Sequence, residues 1–149
     1  MKKIAVTLAL VALSCCAEPA EEDRFAAAQA IVESIVAKHP DLMRLTIHAV
    51  PTGETRSRII ACNVAEKRGQ PSDPEDLQAM KTLETVILHE SEMLDVTAPI
   101  LDSAGRAIGA TGITLNTSES ATEEALVEKA HSIARELMEA VLGADGPLW

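Results

Sequence analysis

Apolar and polar residues alternate from Leu94 onward, and this pattern predicts a long β-strand. The apolar positions on one face are Leu94, Val96, Ala98 and Ile100. Asp95 and Thr97 lie between them and face the other way, as in a strand with one buried side. A turn is predicted over residues 102–105, where Gly105 can adopt a positive φ angle.

A second strand is predicted over residues 107–115, so that the stretch 94–115 forms a hairpin. This strand contains Gly109 and Gly112. Glycine within a strand indicates a bulge or the close approach of another backbone or a ligand. We therefore expect a core hairpin, with any binding pocket on the face opposite its apolar residues.

Two earlier strands are predicted over residues 45–50 and 58–64. In the first, Leu45, Ile47 and Ala49 share one face, while Thr46 and His48 share the other. The Pro-Thr-Gly sequence between the two strands predicts a turn, so the pair also forms a hairpin. A further strand is predicted over residues 85–89, followed by a turn over residues 90–92.

Two long helices flank the strands. Residues 24–38 repeat apolar residues at three- and four-residue steps, and Pro40 ends this helix because proline disfavours helical geometry at the preceding residue. The second helix begins near Ser120, where the sequence to Glu123 fits a capping box, and it ends at Gly143. Its apolar stripe consists of Leu126, Ala130, Ile133, Leu137 and Val141.

The longest irregular region covers residues 65–85 and contains a predicted short helix over residues 74–81. Asp73 is placed as its N-cap and Pro74 in its first turn, with acidic residues near the positive end of the helix dipole. Leu77 and Met80 are predicted to face inward. A long loop in a compact domain tends to be functional or disordered.

The order of elements predicts an α+β fold with one five-stranded antiparallel sheet. A long N-terminal helix and a C-terminal helix cover the sheet, and the short helix lies in the loop after the second strand. We place a single domain at residues 24–143, after an acidic leader at residues 18–23. Residues 144–149 are predicted to be a loose tail.

Composition narrows the possible partners. The chain has 149 residues, which favours one domain, and only 1% of them are aromatic, so its core must be aliphatic. A net charge of −10 argues against nucleic-acid binding and against docking on anionic lipid, since both need a basic surface.

Residues 1–17 are typical of an export signal. Lys2 and Lys3 precede an apolar run that is too short to span a bilayer comfortably, and small residues follow it. Cleavage after Ala17 would leave a soluble periplasmic or secreted protein without a transmembrane helix. The sequence before Cys15 also resembles a loose lipobox, in which case Cys15 would carry a lipid anchor.

The predicted last hairpin resembles that of Cache sensor domains, the extracytoplasmic relatives of the PAS fold. The matching residues are Ala98-Pro99-Ile100, Asp102 to Gly105 and Ile108-Gly109-Ala110. The resemblance implies a small-molecule pocket between the sheet and the loop with its short helix. The residues that it places there are Arg58, Cys62, Asn63, Lys67, Arg68, His89, Asp95 and Thr97.

Charge near this loop indicates the type of ligand. Lys67 and Arg68 add positive charge to an otherwise acidic chain, which would attract a small organic anion. Cache domains that bind amino acids use Tyr and Trp around the ligand, whereas this chain has no Tyr and its single Trp is the last residue. We therefore expect a non-enzymatic, free-standing sensor-type domain whose ligand is not an amino acid.

Other kinds of function stay open. The scaffold could serve as a structural or protein-interaction module, and its terminal helices could support a homodimer. No common hydrolase motif is present, but Cys62 with His48 or His89 could form a nucleophile pair. We expect no metal or cofactor, because the four histidines have no short ligand spacing; haem binding is the alternative.

Overall fold

The computed structural model describes residues 24–117 and 121–149. The predicted export signal and leader, and the proposed cap Ser120, lie outside the described residues. The strands are β1 (Leu42–Ala49), β2 (Arg58–Cys62), β3 (Val86–Glu90), β4 (Met93–Leu101) and β5 (Ala107–Asn116). The helices are α1 (Ala26–Lys38), α2 (Pro74–Thr82) and α3 (Glu123–Leu142), and a 3-10 turn covers Ala65–Lys67.

All five strands form one antiparallel sheet in the order β2-β1-β5-β4-β3. The predicted α+β fold with a five-stranded antiparallel sheet and three helices is therefore confirmed. Strand β5 lies at the centre, paired with β1 on one side and β4 on the other. Gly112 of β5 consequently has Thr46 opposite it on β1 and Thr97 opposite it on β4.

The hydrophobic core lies between one face of the sheet and the helices α1 and α3. Apolar side chains of alternate strand positions meet the predicted stripes of both helices there. The fully buried side chains include Val32, Ile35, Leu45, Ile47, Leu94, Val96, Ile100, Ile113, Leu115, Ile133 and Leu137. We call this side of the sheet the core face. Burial of these aliphatic groups is the main driving force for this packing.

The opposite side of the sheet, which we call the polar face, is covered by α2 and the segment before it. Its side chains come from the alternate positions of the same strands. The register places Val86, Leu88 and Ile59 on this side. Six polar side chains also lie there: Arg44, Thr46, His48, Asp95, Thr97 and Thr114. Four of the six are almost completely buried, although polar side chains are mostly exposed in proteins. The centre of this face is thus a cluster of mostly buried polar side chains, which we call the polar layer, on the side of the sheet opposite the apolar core.

Helix α2 differs from the prediction in the face that it buries. Leu77 is 48% exposed and Met80 is only half-buried, whereas Asp76, 3% exposed, and Ala79 point inward. Asp73 and Asp76 form a reciprocal capping box at the helix start. This box and the contact of Asp76 with the polar face fix the rotation of the helix, so the expected inward position of Leu77 is wrong.

The end of the chain also differs from the prediction. Leu148 is 8% exposed, and the Thr52 hydroxyl donates a hydrogen bond of 3.0 Å to the carbonyl of Trp149. The tail is therefore packed and not loose, because Leu148 and Trp149 contact the core and the Trp149 ring lies beside Gly109. Helix α3 has Thr122 as its cap, whose Oγ1 accepts the Ala125 N–H.

Candidate functional site

A small cavity lies between the polar face and its cover. Its volume is about 50 Å³, which is room for a few water molecules. The lining combines the polar face with α2 and the preceding segment: Arg44, Thr46, His48, Ile59, Lys67, Gln70, Asp73, Glu75, Asp76, Asp95, Thr97 and Gly112. Almost all of these residues have hydrogen-bonding or charged side chains.

Gly112 of β5 permits a close approach at this site, as the sequence predicted, because a Cβ atom there would lie 2.6 Å from Oγ1 of Thr46. This close approach allows the Gly112 N–H to donate a hydrogen bond of 3.0 Å to Thr46 Oγ1. A side chain at Gly112 would displace the threonine from the cavity wall. Gly109 lies on the core face, opposite Ile100 of β4, where a Cβ atom would lie 2.6 Å from the His48 carbonyl oxygen and 3.6 Å from the Trp149 ring.

His48 joins the sheet to its cover. Its Nε2 lies 2.8 Å from Thr46 Oγ1, within the sheet. Its Nδ1 lies 3.1 Å from Ser72 Oγ and 3.1 Å from Asp76 Oδ2, both on the covering segment. The side chains of His48 and Asp76 are each only 5% exposed. This histidine and carboxyl group are thus a buried, contacting pair.

Burial determines the protonation of this pair. Loss of solvation, with a smaller contribution from the Arg44 guanidinium, lowers the pKa of His48 to about 4. Loss of solvation also raises the pKa of Asp76 to about 7, reinforced by nearby carboxyl groups and partly opposed by the Asp73 N–H. Between these values His48 is neutral and Asp76 is protonated, so the pair holds one proton and is neutral as a unit.

A second pair lies beside the first. Arg44 donates a hydrogen bond of 2.8 Å to Asp95 Oδ2, and the Thr114 hydroxyl donates one of 3.0 Å to Asp95 Oδ1. Both carboxylate oxygens of Asp95 are therefore occupied. A charge pair that is hydrogen-bonded in this way can be tolerated at low exposure.

The arrangement around His48 is not that of a nucleophile relay. In a Ser-His-Asp relay the serine and the carboxylate contact different ring nitrogens. Here Ser72 and Asp76 both contact Nδ1 of His48, while Nε2 faces Thr46. The site is suited to hydrogen bonding and to binding a proton, not to activating Ser72.

The eight residues predicted for the pocket do not all come together. Lys67, Asp95 and Thr97 line the cavity under α2. Arg58 and Arg68 line a different groove, which lies between α1 and β2. The sequence neighbours Lys67 and Arg68 thus face different concave surfaces.

The other three predicted residues have surroundings of another kind. The pKa of the buried Cys62 thiol is raised by loss of solvation, and its sulfur contacts Asn63 and Val64 rather than a histidine. Asn63 accepts a hydrogen bond of 2.8 Å from the Leu45 N–H, which fixes the end of β2. His89 pairs with Leu94 and so lies on the core-face side of the edge strand, beside Glu123 of α3.

Residues that the sequence did not place in the site include Arg44, Thr46, His48 and Asp76. The alternation along β1 predicted that Thr46 and His48 face away from the core, and this was the feature of the sequence that could have placed them in the site. Nothing local indicated that Asp76 would lie above them, since acidic residues are common in the first turn of any helix.

The described ranges hold neither a recognisable metal centre nor a membrane span. Within residues 24–117 and 121–149, no three His, Cys, Asp or Glu side chains are grouped so that they could hold a metal ion. No helix in these ranges is long and apolar enough to cross a membrane.

No protein-family model matches the sequence, and no curated protein matches it. Solved structures do match in fold. A GAF domain/HD domain protein from Geobacter sulfurreducens has a TM-score of 0.58 at 9% identity, covering 82% of this chain and 92% of that chain. The inducer-binding domain of a double mutant of the transcription factor PobR from Acinetobacter, in complex with 3-hydroxybenzoic acid, has a TM-score of 0.53 at 11% identity. The match covers 80% of this chain and 97% of that chain.

A third match is an enzyme. The type II free methionine-R-sulfoxide reductase from Thermoplasma acidophilum has a TM-score of 0.52 at 14% identity, covering 80% of this chain and 95% of that chain. At these identities the likeness shows the fold alone. The chain therefore has an α+β fold of the GAF and PAS-like kind, and the more specific resemblance to Cache domains stays a prediction.

Proposed function

We propose that this chain is a sensor-type domain that binds a small molecule between the polar face and α2, without catalysing a reaction. The observation that supports this most is the polar layer, above all the buried pair His48–Asp76, with the partly buried pair Arg44–Asp95 beside it. A helix that served only to cover a sheet would be expected to bury apolar side chains. Burying these polar groups costs free energy, which a ligand-binding role would explain.

The cavity is too small to hold an organic ligand unless it enlarges on binding. Sites for small organic molecules are usually about 300–1,000 Å³, whereas this cavity is about 50 Å³. We infer that α2 moves outward when the ligand binds. Its buried underside is small, since Asp76 and Ala79 are its fully buried residues, so the movement would expose little apolar surface.

The charges around the cavity favour a particular kind of ligand. Four carboxyl groups line it, those of Asp73, Glu75, Asp76 and Asp95, against two cationic side chains, those of Arg44 and Lys67. Arg44 is already paired with Asp95. We therefore propose a small polar ligand that carries hydrogen-bond donors such as hydroxyl or amine groups. The small organic anion expected from Lys67 and Arg68 is less suited to this cavity.

A non-enzymatic role is supported by the surroundings of two candidate nucleophiles: Ser72 contacts the same nitrogen of His48 as Asp76 does, and Cys62 lies outside the cavity. The pKa of Cys62 is raised by burial, whereas reactive thiols have a lowered pKa and are accessible. Export is a separate part of the proposal and depends on residues 1–17 of the sequence. Mass spectrometry of the mature N-terminus in a bacterial host would test it, and a lipid on Cys15 would distinguish anchoring from release.

A thermal-shift screen of small polar metabolites tests the binding proposal. A ligand at 100 times its dissociation constant stabilises the folded state by about 2.7 kcal/mol. We expect a hit to lose this shift in Thr97→Val, which removes a hydroxyl from the cavity wall. Thr111→Val is the matched control, because Thr111 is an equally buried threonine of the sheet but lies on the core face. Equal loss of the shift in both variants would contradict the proposed location.

The small volume of the cavity also favours the alternative, a protein-interaction module on the same scaffold. In that case no compound would stabilise the protein, and the polar layer would serve only to fix the position of α2. A screen without hits, together with a defined dimer or a stable complex in sedimentation measurements, would favour this alternative over ligand binding.

A further inference from the structure

A second concave surface lies on the other side of β2. It is a groove of about 290 Å³, close to the lower limit for sites that bind small organic molecules. Gln29 of α1 and Phe25, the N-cap of that helix, form one wall, and Arg68 and Gly69 form the other. The backbone and side chains of β2 form the floor. The groove opens on the α1 side of β2 and the cavity on the α2 side, and among the described residues that line them they share only Ile59.

The charge in this groove is opposite to that of the protein. Arg58 and Arg68 line it, and none of the described residues that line it is acidic. The whole chain carries a net charge of −10. A local positive patch in an acidic protein attracts anions selectively to that place.

Local contacts hold the groove in shape. The Gln29 side chain forms two hydrogen bonds to the backbone of Cys62 at the end of β2. Its oxygen accepts the Cys62 N–H at 3.0 Å, and its nitrogen donates to the Cys62 carbonyl at 3.2 Å. Arg58 makes two hydrogen bonds to Glu54, of 3.0 and 2.9 Å, which orient its guanidinium. Its Cζ atom lies 5.2 Å from the centre of the Phe25 ring. The wall from α1 and the floor from β2 are thus fixed to each other.

Arg68 is the cation with capacity to bind a ligand. Its Nε donates a hydrogen bond of 3.0 Å to the Cys62 carbonyl, which holds the side chain against the groove. Within the described part of the chain it forms no ion pair. The two terminal nitrogens of a guanidinium match the two oxygens of a carboxylate.

We propose that this groove binds a small organic carboxylate. The carboxylate contacts the guanidinium of Arg68, and its hydrocarbon part lies against Ile59, Ile60 and the Phe25 ring, which also line the groove. The site goes beyond the proposed ligand cavity, and it divides the roles of two neighbouring cations: Arg68 belongs to the groove, while Lys67 lines the cavity under α2.

A titration of the full-length, 15N-labelled protein with benzoate tests this proposal. Benzoate should shift the amide signals of Phe25, Gln29 and Gly69. Arg68→Gln should weaken benzoate binding about tenfold, the effect of losing a charged hydrogen-bonded pair. Lys67→Gln removes the same charge from the adjacent residue and should leave the affinity within about twofold. Arg68→Lys keeps the charge without the planar group and should give an intermediate loss.

Several results would overturn the proposal. Equal weakening by Arg68→Gln and Lys67→Gln would mean that only general charge attracts the anion. Inorganic phosphate binding as tightly as benzoate would remove the role of the apolar wall, and the absence of benzoate binding would remove the site. Arg68 is exposed, so its variants should fold, which a thermal melt checks. Thr97→Val should leave benzoate binding unchanged, so this test is separate from the test of the cavity.

Discussion

The contact between His48 and Asp76 makes a specific prediction about how stability depends on pH. In the unfolded chain the pKa values are the ordinary 6.5 for His48 and 3.8 for Asp76. Between about pH 4 and 6.5 the unfolded pair therefore holds one proton, on the histidine. The folded pair also holds one proton in this range. Because folding changes no proton number, the pair should contribute no pH dependence there.

Replacing Asp76 with Asn should remove this balance. The lowered pKa of His48 is caused by burial and Arg44, so it persists in the variant. The folded state then binds fewer protons than the unfolded state, and stability falls as the pH falls from 6.5 to about 4. A difference of about 2.5 pKa units corresponds to about 3 kcal/mol. The Asn oxygen can still accept the Asp73 N–H, which preserves the helix cap.

Replacing His48 with Gln should give the opposite slope. Asp76 alone then has a pKa of about 7 in the folded state, against 3.8 in the unfolded state. The folded state binds more protons, so stability should fall as the pH rises from about 4 to 7, by about 4 kcal/mol in total. The double variant should return to a slope close to that of the original protein.

Urea denaturation at half-unit pH steps from 4 to 7.5 measures these slopes. Groups outside the pair titrate in all four proteins, so the difference between each variant and the original protein isolates the pair. Opposite slopes for the two single variants support the arrangement described here. If the curves of all four proteins run parallel, the two groups are neither buried nor coupled as described, and the reasoning is refuted.

Three further substitutions should change the free energy of unfolding in urea. Thr111→Val should stabilise the protein by about 1 kcal/mol, because Thr111 Oγ1 is buried with no hydrogen-bond partner among the described residues; a loss of stability would show that this hydroxyl has one. Gly112→Ala should destabilise it by about 1–3 kcal/mol, because the added Cβ would lie 2.6 Å from Thr46 Oγ1; no change would mean that Thr46 can move aside freely. Leu148→Ala should cost about 2 kcal/mol if the tail is packed as described, and nothing if it is loose.

Much of the fold could be predicted because it is encoded locally. The strand alternation and the helix stripes each depend on residues within one element, and they identified the five strands and three helices of residues 24–117 and 121–149. The order β2-β1-β5-β4-β3 could not be predicted in this way. It depends on the pairing of β1 with β5, such as Thr46 with Gly112, which are far apart in the sequence.

The candidate site was less predictable for the same reason. Thr46 and His48 were correctly placed away from the core, but their burial depends on α2, which crosses above them. The rotation of α2 is set by Asp76, and a weakly amphipathic nine-residue helix gives little signal for it. Lys67 and Arg68 are adjacent in sequence, yet they line different concave surfaces because they lie at the end of the 3-10 turn.

The most direct test of the central claim is to map a bound ligand on the protein. A polar compound found by ligand-observed NMR should shift the amide signals of Thr46, His48 and Thr97, together with those of α2, and should speed hydrogen exchange or change the position of α2 as the cavity enlarges. The account would be contradicted if every compound that binds leaves the signals of Thr46, His48 and Thr97 unaffected and shifts only the groove beside α1 or the helix α3.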